Sequence, residues 1–292
     1  MLGGLNNIWL AQSSKRKNTN EWGAKHMESE SIWLGPMRKP VQYAMKGFAV
    51  AAAVTFAWMA IQTFVASEPV TMYDILSPSG VPLAQLLLFT FSGAILTTAL
   101  YLSDSVGAIE SKPQGFFDTL SLVCSRIAMI GVVAIVLVMF YEVVSRYAFN
   151  APTLWANEMS LWIAAFLFML AGLYAMQQRS HIRIYVIYDI MPRWFQKMAD
   201  VISVVLIWVF TFVLVWGGYN EAVLKFTRGE TFGTAWDPPI PATIKPAILI
   251  IMVLVALQAL SNLIADWHKE PESHDEIDET EIENIRATLR ED

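Results

Sequence analysis

The sequence contains a single cysteine, Cys124, which excludes an internal disulfide and any metal site built from several thiolates. It lies in an apolar stretch, where a small packing residue is the simplest role. Histidine is nearly as scarce. His26, His181, His268 and His274 all fall outside the long apolar runs, so a membrane b-type haem would find no ligands within a span. There is no G-x-x-x-x-G-K-[ST] loop, which removes a nucleotide-driven motor, and neither H-E-x-x-H nor G-x-S-x-G occurs. An enzyme is not expected, nor is a cofactor or a resident metal.

Charge is the other shortage. Asp, Glu, Lys and Arg make up 16% of the chain, against about 25% in a typical soluble domain. The hydrophobic share is 55% and mean hydropathy is +0.44. This excess is gathered into six apolar runs, at residues 47–66, 82–102, 127–149, 159–176, 201–219 and 246–265. The run 159–176 has no charge at all; at 1.5 Å per residue it spans about 27 Å, close to the hydrocarbon thickness of a bilayer. A soluble core needs no repeated runs of that length. The expected fold is all-α: a polytopic membrane protein.

The net charge of −6 is local in origin. From His268 onward ten acidic residues face three basic ones, so the rest of the chain is close to neutral and offers no basic face to nucleic acid. Four regions are expected: a basic, mobile N-terminal tail (1–44), a two-helix hairpin (45–103), a four-helix membrane domain (116–267) and an acidic tail (268–292). Within the third, 182–198 mixes aromatic, aliphatic and charged residues as an interfacial segment does. If the N-terminus is cytoplasmic, sixteen of the twenty Lys and Arg fall on inside segments and four outside. Both tails should therefore be cytoplasmic.

Polar residues at the rims are the candidates for function. Glu142 and Arg146 stand four apart on one helix face, with Glu in the favourable N-terminal position. Glu158 opens the next helix at the same level, and a charge inside a bilayer is costly unless paired. These three are expected to satisfy one another across the loop 148–157. They pin the hairpin, dock a partner subunit or, as the least favoured reading, form an ion or proton site. Arg179, His181 and Arg183 form a basic cluster suited to lipid headgroups or to another protein. Gln258, Ser261 and Asn262 share a face of the last run, and polar groups there should meet protein, not lipid.

Several of these residues fall into a pattern. Residues 120–265 resemble the small membrane subunit of tripartite ATP-independent periplasmic (TRAP) transporters, the DctQ-like family. The likeness rests on Arg146, Tyr147, Phe149 and Asn150, then Trp155 and Glu158, then Gly172 and Met176, then His181, Arg183 and Pro192. Gly229, Glu230, Thr231, Trp236, Pro238 and Pro239 look like a subgroup labelled mannitol/chloroaromatic or 2-oxo acid type. Tyr185 stands where the family has Asp, Met176 replaces a small residue, and the first two spans lie outside the usual four-helix unit.

The resemblance implies a sodium-coupled importer of an organic acid, in the bacterial inner membrane. A periplasmic binding protein captures the substrate, a large permease subunit moves it, and the small subunit braces the large one. Glu142, Arg146, Trp155, Glu158, His181, Arg183, Gln258 and Asn262 would then be structural or subunit-interface residues. A membrane anchor or assembly subunit of another complex remains the alternative reading.

Overall fold

The computed structural model describes residues 31–66, 69–107, 110–179 and 192–268, and all regular structure among them is helical. A 3-10 turn, Gly35–Met37, leads into α1 (Arg38–Val65), followed by a short α2 (Met72–Leu76). Then come α3 (Pro82–Ser103), α4 (Phe116–Ala148), α5 (Ala156–Gln177), α6 (Arg193–Arg228) and α7 (Ile240–Asp266). All but α2 are long and apolar enough to cross a membrane, six in all. The chain is a multi-pass helical membrane protein.

Most of these helices outrun the apolar runs that announce them. α1 starts at Arg38, α4 at Phe116, and α6 covers 36 residues, about 54 Å at the α-helical rise. An uncharged run marks the stretch bathed in hydrocarbon. The helix continues into the interface because each further turn satisfies its own backbone groups. The last helix begins at Ile240, with Pro246 inside it; at that position the proline removes one backbone hydrogen bond near the helix start without ending it. Residues 31–44, expected within the N-terminal tail, hold the 3-10 turn and the first residues of α1. α2, expected as loop, is fixed by a reciprocal cap between Thr71 and Asp74.

Neighbour packing follows an almost linear order: α1 against α3, α3 against α4, α4 against α5, α5 against α7, and α7 against α6. Such a row buries little. The buried apolar residues are mainly small, among them Ala84, Ala99, Ala156 and Ala256, each with no exposed surface. Small residues allow close helix approach, which is what holds helices together where lipid offers no hydrophobic drive. The α1–α3 pair shows how close. A Cβ at Gly93 would sit 2.6 Å from the Phe48 ring, and the hydroxyls of Thr55 and Thr90 meet at 3.4 Å. Large apolar side chains instead face outward, most densely along α6, where only Gln196, Thr211 and Ala222 are buried.

Up-and-down succession puts two sets of connections at opposite ends. At the terminal end lie Ser31, the 104–115 loop and the last turn of α7. At the turn end lie α2, the loop 149–155 and the loop 229–239.

Candidate functional site

At the turn end, α4 closes on Asn150, whose φ of 52° is left-handed, and the Ala151 N–H reaches back 2.9 Å to the Ser145 carbonyl. Asparagine tolerates that conformation better than any bulky residue, which gives the Arg-Tyr-x-Phe-Asn run a physical meaning. The reversal carries the returning chain onto Glu142. Its carboxylate is almost completely buried and accepts from Arg146 Nε at 2.8 Å, from the Thr153 N–H at 2.9 Å and from the Thr153 hydroxyl. Arg146 also donates through Nη2, while its side chain stays 51% exposed. Trp155 caps α5 and stacks on Tyr141 of α4, ring centroids 5.8 Å apart. A buried carboxylate with a full set of partners is a hinge pin for the α4–α5 hairpin, with one cationic face left outward.

Glu158 does not join this latch. It accepts from the Thr234 hydroxyl at 2.7 Å instead. The expected threefold cluster is a pair plus a separate tie, because Glu158 stands in the first turn of α5 facing the 229–239 loop. That loop is itself well shaped. Gly229 ends α6 at φ 58°, and the Glu230 N–H bonds the Lys225 carbonyl at 3.0 Å. Trp236 is buried, and its indole N–H donates to the Met72 carbonyl at 3.2 Å. Tyr73 donates to the Ala235 carbonyl at 2.9 Å. The segment between the first two spans is thus clamped to the loop between the last two. Below it, Trp162 donates to Thr243 at 2.8 Å, joining α5 to α7.

The terminal end has three further networks. Gln258 is fully buried. Its amide accepts from Ser121 at 2.9 Å and donates to Asp118 at 2.6 Å and to Asn262 at 2.9 Å. Asn262 donates on to the Met176 carbonyl at 2.7 Å, so α4, α5 and α7 meet through polar groups. The polar face of the last helix does meet protein, but it is this chain's own protein. Beside it, Arg179 pairs with Asp266 through Nε at 2.5 Å and Nη2 at 2.9 Å.

In the second network Glu110 lies across Arg126, at 2.6 and 2.9 Å from its two Nη atoms, and accepts from Tyr174 at 2.7 Å. The Arg126 hydrogen bonds hold the Glu110 carboxyl down at about 2, against the upward push of burial, with Tyr174 and the Gly107 N–H assisting. In the third, Asp104 caps the end of α3. Its Oδ1 receives the N–H groups of Ile32, Trp33 and Leu34 at 2.9–3.0 Å and the Ser31 hydroxyl at 2.9 Å. Burial pushes this carboxyl up, yet those bonds and the Arg38 charge win and its pKa is lowered. Among the described residues, no group of three or more His, Cys, Asp or Glu is placed to hold a metal.

Among the described residues, the site at both rims is therefore a set of latches along a row of helices, with no reacting constellation. Comparison with known proteins says what kind of row it is. Residues 135–269 match the family described as tripartite ATP-independent periplasmic transporters, DctQ component. The match takes in a little under half of the chain. Over 144 residues the chain is 24% identical to the C4-dicarboxylate TRAP transporter small permease protein DctQ of Vibrio cholerae serotype O1, covering 49% of this chain and 54% of that protein. Over 167 residues it is 25% identical to the isethionate TRAP transporter permease protein DctMQ of Oleidesulfovibrio alaskensis, covering 55% of this chain and 26% of that protein. The chain thus spans about half the length of the first relative and about a quarter of the second. No solved structure matches it.

The DctQ region takes in Glu142, Arg146, Trp155, Glu158, Gln258 and Asn262, together with the hinge pin and the 229–239 loop. His181 and Arg183 fall inside it but outside the described residues. Sequence reasoning missed Asp104, Glu110, Asp118, Arg126 and Thr153 as latch residues. For Asp118 a signal existed: with Ser121 and Ser125 it forms an i, i+3, i+7 polar stripe, the natural partner for Gln258 and Asn262. For Asp104 none did, since its partners lie in a segment that reads as plain tail, and Glu110 itself lies in one that reads as plain loop.

Proposed function

We propose that this chain is the small scaffold subunit of a TRAP transporter in a bacterial inner membrane. It works with a large permease subunit and a periplasmic binding protein to import an organic acid by sodium coupling. The terminal end, with both tails, faces the cytoplasm, and the turn end faces the periplasm. The chain is organised as a tail (1–44), an added hairpin (45–103), the four-helix unit (116–267) and an acidic tail (268–292). The observation that carries the reading is the DctQ match over 135–269, the stretch that holds the Glu142 hinge pin. The geometry supports a bracing role. A single row of helices, latched at both rims, presents long apolar faces and keeps its buried polar groups for itself.

A relative named DctMQ supports pairing with a large permease subunit. The relatives named for C4-dicarboxylate and for isethionate support a small organic anion as cargo. The mannitol/chloroaromatic or 2-oxo acid subgroup rests on the 229–239 loop motif. Arg146, half exposed at the Glu142 hinge pin, and His181 with Arg183 are the residues we assign to contacts with other subunits.

A tagged copy of the full chain, expressed with its neighbouring genes, is expected to carry along a large polytopic partner. Arg146→Ala should weaken that association while the soluble component still captures substrate. Purification alone, or with an unrelated complex, would overturn the proposal and favour the anchor or assembly subunit.

A further inference from the structure

One groove is used by none of the contacts above. It lies between α6 and α7 at their turn-end halves, with a volume of about 390 Å³, within the roughly 300–1,000 Å³ of small-ligand pockets. Its walls are apolar, with Val213, Gly217 and Gly218 on α6 facing Ile248 and Leu249 on α7. The polar atoms are confined to one end, where Lys245 Nζ stands 3.0 Å from a Glu221 carboxylate oxygen, both side chains about half exposed. Glu221 follows the uncharged run 201–219 and Lys245 precedes the run 246–265. The pair therefore sits at headgroup level and the apolar part reaches into hydrocarbon.

The two glycines differ. A Cβ on Gly218 would meet Leu249 at 3.2 Å, so helix packing accounts for it, whereas a Cβ on Gly217 would meet nothing within 4 Å among the described residues. Glycine is among the poorest helix formers, and here it leaves open a space that none of the described residues fills.

We propose that this groove binds one phospholipid with a phosphoethanolamine headgroup. An acyl chain lies over Gly217 against Ile248 and Leu249. The phosphate accepts from Lys245, and the primary ammonium donates to Glu221. The rim offers one positive and one negative group, so it matches a zwitterion. A purely anionic headgroup would set its phosphate beside Glu221 with no amine to compensate, and a choline headgroup carries charge but no N–H to donate. A transmembrane helix is about 10–12 Å across and would bridge the groove without filling it. The inference does not depend on the transporter reading.

The test is native mass spectrometry of the full chain in mild detergent, titrated with phosphatidylethanolamine, phosphatidylcholine and phosphatidylglycerol of identical acyl chains. Phosphatidylethanolamine should be retained about tenfold over the other two, the effect of one charge-assisted hydrogen bond. Glu221→Gln should erase the preference over phosphatidylcholine while leaving phosphatidylcholine retention unchanged, and Lys245→Met should lower retention of all three lipids through the lost phosphate contact. Gly217→Leu should block retention of all three at this site. Equal retention of the three headgroups by the unaltered protein would overturn the proposal. So would Gly217→Leu that keeps full phosphatidylethanolamine retention but loses a co-purifying polytopic partner, since the groove would then be a protein interface. Size-exclusion profiles report folding, and if Gly217→Leu fails to fold the two rim variants decide the matter by themselves.

Discussion

Replacing Gln258 by Leu tests whether the buried polar network holds the terminal end together. The substitution keeps most of the volume and removes three hydrogen bonds, to Ser121, Asp118 and Asn262. Two join neutral groups, and such bonds within membranes average about 0.6 kcal/mol and reach about 1.7. The third is charge-assisted, and its loss leaves Asp118, nearly fully buried, with only the Gln114 N–H at 2.9 Å. That term adds about 1.5–3 kcal/mol, so the expected destabilisation is about 2–4 kcal/mol in all. The assay is equilibrium unfolding in mixed micelles with rising dodecyl sulfate, followed by tryptophan fluorescence. The reasoning is sharpened by a double-mutant cycle. Asp118→Leu in the Gln258→Leu background removes the carboxylate that the first change stranded. The double variant should therefore be more stable than the summed singles by about 1–2 kcal/mol. Additivity within about 0.3–0.5 kcal/mol would refute the coupling, because distant, independent sites behave that way.

Three further outcomes follow from the latches. Because the folded-state pKa of Glu110 is depressed to about 2, its contribution is complete above the ordinary carboxylate range and is lost as pH falls from about 4.5 toward 2. Glu110→Gln should flatten the acid limb of thermal unfolding in that window, and an unchanged slope would count against the Arg126 pairing. Asn150→Val should destabilise by roughly 1–2 kcal/mol, the cost of a β-branched residue in left-handed backbone, while Asn150→Gly should be nearly neutral; thermal midpoints decide. Finally, Tyr73→Phe combined with Trp236→Phe should raise hydrogen exchange in residues 69–77 and 229–239 together. A rise in one segment alone would mean that the two are not clamped.

How much was legible beforehand depends on which force wrote it. All six crossings were readable, because insertion into hydrocarbon demands uncharged runs and those are visible letter by letter. Helix ends were not, since α4 begins at Phe116, well ahead of the apolar run that starts at 127, and already includes Asp118 and Arg126. The Glu142–Arg146 pair was legible from its four-residue spacing, but Thr153 as the second partner was not, because it depends on the turn at Asn150. Gln258 and Asn262 were correctly expected to touch protein, yet periodicity names a face without naming its neighbour. Asp104 was invisible for a similar reason: it is satisfied by backbone N–H groups, which every residue carries.

The linear order of the helices bears on how such a protein can change over time. In a globular core each element touches many others, so an insertion must be accommodated everywhere at once. Where contacts run mainly between successive neighbours, stability is close to a sum of pairwise terms, as in repeat proteins. A pair of helices can then be grafted onto one flank without disturbing the far one, and only the junction has to be invented. Here that junction is the α3–α4 seam with its Glu110 and Trp236 fastenings. The first two crossings stand at one end of this row, so losing them would shorten the molecule without redesigning it.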